Sequence, residues 1–321
     1  MIYLNENDIQ HIEIDWNNLV QLMTGAVTTL HAGDFSQPMK PYLRFKNLKN
    51  RIISMPAYLG GMFDVAGIKW IASFPDNIHA SKPRAHSVVI LNDADSGEPV
   101  CIINTALLSI IRTASVSGLI ISNFDRIRGL QDITIGIIGW GPIGRQHLKM
   151  CVGLLGKRIS KVVLHDVRGI DRDATEGFGV DTISVADSWR DVYAQSDIFI
   201  TCTTASAPYI DEKPKPGSLH LNVSLRDYKV DVFDYFKNTI IVDNWEEICR
   251  ENTDIEQMHI QKGLCKEDTK SITDVIIKDC IMDYNSNDPV LFNPMGMAIF
   301  DIALGNYYYK KANQLKVGLV I

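Results

Sequence analysis

The sequence predicts an α/β protein: a doubly wound parallel sheet joined to a discontinuous α+β domain. Three observations predict it. The stretch Ile133–Asp166 runs as an apolar strand, Gly139-Trp-Gly141-Pro142-Ile143-Gly144, a helical segment, a second strand and an acid. From there strands and helix-compatible segments alternate, which is the pattern of a parallel sheet with crossover helices. The first hundred residues instead carry several strand patterns in succession with no helix between them, which favours a largely antiparallel sheet.

The elements follow in order. Residues 4–34 open with Asn and Asp and continue as an amphipathic helix, with Leu19, Leu22, Met23, Ala26, Val27 and Leu30 at helical spacing. Pro38 and Pro41 then impose extended chain before Arg44. Short strands are expected at 51–55, 67–73, 87–91 and 100–103, the last two joined by an Asp93–Gly97 turn. A long helix is expected over 104–124. Parallel strands are expected at 133–138, 161–165, 197–201, 218–223 and 239–242, while 244–286 has no clean assignment. Asn293 and Pro294 read as the N-cap and first residue of a helix reaching about Leu315. If that helix packs back on the first domain, the domains are 1–115 with 293–321 and, inserted between them, 116–292.

Each part of the glycine stretch has a physical role in gripping a dinucleotide. Gly139 permits a tight strand-to-helix turn, Gly141 lets the backbone approach a pyrophosphate, and Gly144 brings helix against strand. The helix start, with Pro142 and Ile143, offers free N–H groups and a positive dipole end to phosphates. Asp166, 22 residues past Gly144, can accept hydrogen bonds from the adenosine ribose. An acid there favours NAD over NADP, with Arg168 two residues on as the complicating cation.

Composition bounds the rest. The chain has 321 residues, 46% apolar and 22% charged, as in ordinary globular proteins. A net charge of −6 and the absence of a basic run argue against nucleic acid. Six scattered cysteines without a C-x-x-C pair fit reduced thiols, and the histidines show no metal-ligand spacing, so no metal is expected. The apolar window 99–122 contains Arg112, which would cost about 2.5–3.5 kcal/mol at a membrane centre. It reads as a buried helix, and the N-terminal residues carry no export signal. The expectation is a cytoplasmic protein with no membrane contact.

Charged residues inside apolar stretches are candidates for chemistry, because such groups are rarely buried unpaired. They are Arg44, Lys69, Arg112 and, in the loop Ser224-Leu-Arg-Asp227-Tyr, Asp227. Either they form a cationic pocket for a carboxylate-bearing substrate, with Asp227 opposite a nicotinamide, or they pair internally or snorkel to water. Amine oxidation by hydride transfer needs a neutral nitrogen, so a carboxylate must take its proton. A lysine among cations and apolar groups has a lowered pKa and can exchange protons near neutrality. Thr201 and Thr203 end a parallel strand, and with Ser224, Met295 and Gly296 they are candidate cofactor contacts. Plain strand-end loops and a well-capped helix are the alternatives.

Taken together, GIKW with Lys69, IIRTASVSGL with Arg112, GWGPIG followed by LHD with Asp166, and Asp227 resemble the ornithine cyclodeaminase/μ-crystallin family. PMKPYLR, NRIISMPAYLGG, RAHSVVILND, VDNW and NPMGMAIFD look most like its branch for L-2,3-diaminopropionate biosynthesis, which serves siderophore and peptide-antibiotic pathways. The resemblance implies NAD-dependent oxidation of N-(2-amino-2-carboxyethyl)-L-glutamate and imine hydrolysis to 2-oxoglutarate and L-2,3-diaminopropionate. It implies that Arg44, Lys69 and Arg112 hold substrate carboxylate and that Asp227 is the acid/base. It further implies a Rossmann domain inserted into the first domain, and a homodimer joining the first-domain sheets. The chain departs from ornithine cyclodeaminases at Met55 and at Asn293–Met295, which weakens recognition of a free side-chain amine. Lys40, Arg51 and Arg84 would suit a tricarboxylate. The competing activities are ornithine or lysine cyclodeamination and ketimine reduction. A non-catalytic nucleotide-binding regulator is the alternative of another class.

Overall fold

The computed structural model describes residues 1–321, the side chain of Arg172 excepted. The chain divides into two compact units, Met1–Val116 with Gly296–Ile321, and Ser117–Met295.

The first unit is built on a mostly antiparallel sheet. Its strands are β1 (Ile2–Leu4), β2 (Phe35–Ser36), β3 (Tyr42–Leu43), β4 (Arg51–Leu59), β5 (Val65–Ser73), β6 (Ala85–Asp93) and β7 (Pro99–Asn104). The order is β1-β7-β6-β5-β4-β2, with β3 also on β4 and a short strand, Leu319–Val320, outside β1. Only β1–β7 is a parallel pair. β4 was expected to stop at Met55, but it runs on through Pro56 to Leu59. The proline is tolerated because this stretch is an edge: β3 covers Ile52–Ile53 and β2 covers Tyr58–Leu59, leaving Pro56 between them.

Alternation puts Met55, Ala57, Leu59, Val65, Lys69, Val89, Leu91, Cys101 and Ile103 on one buried face. The helices Trp16–Ala32 and Ala298–Leu315 pack against it. Lys69 therefore points from an apolar strand face toward an apolar helix, and only the polar residues of that helix and its neighbours can satisfy it. The opposite face, with Pro56, Ile68, Ile90 and Ile102, is half-buried, and Trp70 is 43% exposed.

The second unit is a parallel sheet of β8 (Ile133–Ile138), β9 (Ile159–His165), β10 (Ile183–Val185), β11 (Ile198–Thr201), β12 (Leu219–Asn222), β13 (Ile240–Val242), β14 (Lys270–Ser271) and β15 (Val290–Asn293). The order is β10-β9-β8-β11-β12-β15-β13-β14. The direction of winding reverses between β8 and β11, and ligands of such sheets bind at the strand ends beside that point. The central strands are mostly apolar and, Thr134 apart, fully buried, as strands covered on both faces must be. The long apolar helix Leu107–Arg128 is mostly buried inside the protein.

Two expectations fail here. Asn293 is not a helix N-cap and Pro294 is not a first helical residue. Asn293 closes β15, and the last helix starts at Ala298. Gly296, at φ +87°, turns the chain between them, and the Asn293 carboxamide is drawn across the sheet edge to Asn222. β15 itself was missed, because three apolar residues between a proline and an asparagine carry no period that separates strand from loop.

Candidate functional site

In the second unit, β8 leads directly into the glycine turn. The Gly139 N–H donates to the His165 carbonyl at 2.9 Å, fixing β8 to β9 where the turn begins. Gly139 sits at φ +93°, and any Cβ there would lie 2.4 Å from the Cys202 carbonyl oxygen. A Cβ on Gly144 would lie 2.1 Å from the Gly139 oxygen. Both positions therefore require glycine, one for the turn and one for helix-to-strand approach. At Gly141 a Cβ would meet nothing, so its backbone faces open space. The helix Pro142–Leu155 begins there with proline at the first position and no acid in its first turn. Its free N–H groups and positive dipole end are left for an anion. Ile143 lies in this turn and is 36% exposed.

Asp166 follows β9 beside that turn. Its carboxylate accepts the Trp140 N–H at 2.9 Å and the Arg168 N–H at 3.0 Å, and the Arg168 side chain folds onto it at 3.3 Å. Burial alone would raise the Asp166 carboxyl, but these donors hold it below the ordinary aspartate value. Trp140, Arg145, Asp166, Arg168 and Ala174 line a cavity of about 210 Å³. The residues present fit a dinucleotide: a glycine backbone open to a pyrophosphate, an acid-free helix start, and an ionised acid beside a cavity for the adenosine end.

Asp227 lies in the loop after β12 and is fully buried. Its Oδ1 accepts the Thr203 hydroxyl at 2.5 Å, while Oδ2 has no donor among the described residues. A buried carboxylate oxygen without a partner is costly and is a common mark of a functional site. Burial raises the Asp227 carboxyl above its ordinary value, against the pull of the Ser224 and Thr203 hydroxyls. The loop is tied to the end of β11: Thr203 N–H donates to Ser224 Oγ at 2.9 Å, and Ser224 N–H to the Thr201 carbonyl at 3.1 Å. Thr201 is itself fully buried, its hydroxyl donating to Asn222 at 3.2 Å. Met295 N–H donates to Asp243 at 3.0 Å.

In the first unit, Lys69 and Arg112 meet at a third residue. Lys69 Nζ and Arg112 Nε both reach Oδ1 of Asp301, at 2.8 and 3.0 Å, and Lys69 also donates to Ser109 at 2.7 Å. Lys69 is 1% exposed and Arg112 7%. Burial pushes the Lys69 amine down to about 8; Arg112 and Lys40 add to the depression, and Asp301 opposes it. Burial works to raise Asp301, but Arg112 and Lys69 hold it below its ordinary value. Lys40 donates to the Gly296 carbonyl at 2.7 Å, and the Arg112 guanidinium would lie 3.0 Å from any Cβ on Gly296. Gly296 thus admits the guanidinium where a larger residue would exclude it. Arg44 stands elsewhere, at the end of β3, donating to the Leu48 carbonyl at 3.1 Å with its guanidinium 5.5 Å from the Tyr42 ring. It lies just past the Leu43–Ile52 pair, level with Arg51 and Ser73. Ser73 is four residues along β5 from Lys69, about 13 Å of strand.

Sequence reasoning missed Asp301, Asn222 and Asp254. Asp301 carried a signal: it is the one acid in the apolar segment MAIFDIALG, facing the same economics as Lys69.

A profile of the ornithine cyclodeaminase/mu-crystallin family matches residues 3–316. The chain belongs to that family. An N-((2S)-2-amino-2-carboxyethyl)-L-glutamate dehydrogenase of Staphylococcus aureus is 31% identical, over 100% of this chain and 98% of its own. A Delta(1)-pyrroline-2-carboxylate reductase of Thermococcus litoralis, solved with NADH and L-proline, superposes with a TM-score of 0.89 at 21% identity, over 100% of each chain. An archaeal alanine dehydrogenase dimer with bound NAD superposes at 0.81 and 22% identity, over 100% of this chain and 98% of the other. At these identities the two structures show a shared fold.

Proposed function

We propose that this protein is an NAD-dependent dehydrogenase that oxidises the secondary amine of N-(2-amino-2-carboxyethyl)-L-glutamate, releasing 2-oxoglutarate and L-2,3-diaminopropionate. The observation that carries this is the pair of buried cations, Lys69 and Arg112, sharing one carboxylate oxygen, in a chain 31% identical over its full length to an enzyme of that activity. Two cations on one oxygen retain attraction for a second carboxylate, and Arg112 can clamp it bidentately. Arg44 would take a carboxylate farther along the sheet.

Gly139, Gly141, Pro142, Ile143 and Gly144 would hold the NAD pyrophosphate, and Asp166 the adenosine ribose. Thr201, Thr203, Ser224, Met295 and Gly296 would shape the nicotinamide end, Thr201 through the backbone because its hydroxyl is taken. NAD, when bound, supplies the hydride acceptor. Asp227 takes the proton from the substrate nitrogen onto its unpartnered Oδ2, so that the glutamate α-carbon can lose hydride as the C=N bond forms. Water then adds to that carbon, and C–N cleavage gives the keto acid and the primary amine. Lys69, with its pKa near 8, holds substrate carboxylate as a cation at neutral pH.

A homodimer would join the half-buried first-unit sheet faces that carry Ile68 and Trp70. The six free cysteines suit a reducing compartment, and the diamino acid would feed siderophore or peptide-antibiotic synthesis.

The test measures NADH formation with the glutamate adduct and with L-proline and, in parallel, ammonia release from L-ornithine, whose cyclisation is redox-neutral and yields no net NADH. Turnover of the adduct with equimolar 2-oxoglutarate supports the reading. Turnover of ornithine or proline alone would place the chain with the cyclodeaminases or ketimine reductases. NAD binding without turnover of any of them would leave a nucleotide-binding regulator.

A further inference from the structure

The loop that carries Asp227 is held by another buried acid. Asp254 opens the helix Asp254–Lys262 and is 2% exposed. Its Oδ2 accepts three hydrogen bonds, from the Asp227 N–H at 3.0 Å, the Tyr228 N–H at 3.0 Å and Asn222 Nδ2 at 2.8 Å. Its own N–H returns to the Leu225 carbonyl at 2.9 Å. Asn222 also donates to Asn293 at 2.8 Å, and its oxygen accepts the Thr201 hydroxyl at 3.2 Å and the Leu225 N–H at 3.1 Å. The ends of β11, β12 and β15 are thereby linked by side chains to one carboxylate. An acid in a helix first turn ordinarily faces solvent and favours the dipole. This one is buried and turned onto the backbone of a different segment.

We propose that Asp254 is a positioning residue for Asp227: it fixes the backbone on which Asp227 rides, aims the unpartnered Oδ2, and by its negative charge makes that oxygen a better proton acceptor. The proposal rests on Asp227 being the acid/base group.

The electrostatics agree with the geometry. Burial first, and then the charge of Asp227, push the Asp254 carboxyl up to about 7 against its hydrogen-bond donors. The coupling is reciprocal, since two buried carboxylates resist ionising together. The groups around Asp227 are Thr203, Cys202 and Tyr209 after β11, Ser224, Arg226 and Tyr228 on its own loop, and Asp254 from the helix. Burial keeps the thiol and both phenols protonated. Arg226, which donates to the Glu251 carbonyl at 2.7 Å, favours ionised Asp227.

The test measures kcat, KM and the pH profile of kcat/KM with NAD and the glutamate adduct, together with NAD affinity. Asp254→Asn keeps an acceptor for the three donors and removes the charge. Asp254 gives up its proton near pH 7, so the rise in kcat/KM at that pH is lost from the acidic limb, with NAD affinity unchanged. Asp254→Ala removes the acceptor too, and kcat falls about a hundredfold while KM changes little. An unchanged limb in Asp254→Asn, beside a dead Asp227→Asn, overturns the role of Asp254 alone. An active Asp227→Asn overturns the acid/base assignment and this proposal with it. Should the Asp254 variants fail to fold, carbon-13 NMR of aspartate carboxyls in the wild-type protein decides: one group titrates near pH 7, and its absence refutes the coupling.

Discussion

Lys69, Arg112 and Asp301 form a unit in which no member is satisfied alone. Removing Asp301 leaves two cations buried on a single apolar interface, and breaking a buried pair costs about 3–5 kcal/mol. Asp301→Ala should therefore lower unfolding stability by that amount in urea titration, whereas substitutions at the exposed Arg168 should leave it within about 0.5 kcal/mol. Lys69 gives a pH dependence with a definite sign. It is a cation below about pH 8 and neutral above it, so substrate KM should rise as pH passes that value. In Lys69→Arg the charge persists and the rise should vanish, which steady-state kinetics across the range will show. Arg168 lies on Asp166 and offsets part of its charge. Arg168→Ala should raise the preference for NAD over NADP, measured as the ratio of kcat/KM values, by about tenfold or 1.4 kcal/mol. An unchanged ratio would assign the guanidinium no part in cofactor choice.

At the scale of elements, the glycine turn is where sequence and structure meet most directly. Gly139, Gly141 and Gly144 were legible because strand, turn and helix each leave a pattern in the chain, and each glycine answers a separate steric demand. Gly144→Ala must move a Cβ out of the Gly139 oxygen. It should cost about 1–3 kcal/mol of stability and weaken NAD binding, readable together by thermal shift with and without NAD. Lys69, Arg112 and Asp227 were legible as charges in apolar surroundings. Their partners were not: Asp301 is 232 residues from Lys69, and no local pattern predicts which buried cation an acid will meet. Asn222 and Asp254 were hidden for the same reason, since a polar strand end reads as a loop until the neighbouring strands are in place. Asn293-Pro294 misled because its capping signature is local, while the pull of Asn222 and the turn at Gly296 are tertiary.

At the scale of the whole molecule, the proposed dimer is tested at the half-buried first-unit sheet face. Trp70→Glu should convert a dimer to monomer in sedimentation at micromolar concentration, and a wild-type monomer would remove the proposed joining of sheets. Catalysis is tested most directly by isotope. The adduct carrying deuterium on the glutamate α-carbon, incubated with NAD, should yield deuterated NADH and 2-oxoglutarate in equal amounts, with unlabelled L-2,3-diaminopropionate. Deuterium absent from the reduced cofactor, while products still form, would contradict hydride loss from that carbon and the chemistry assigned to Asp227.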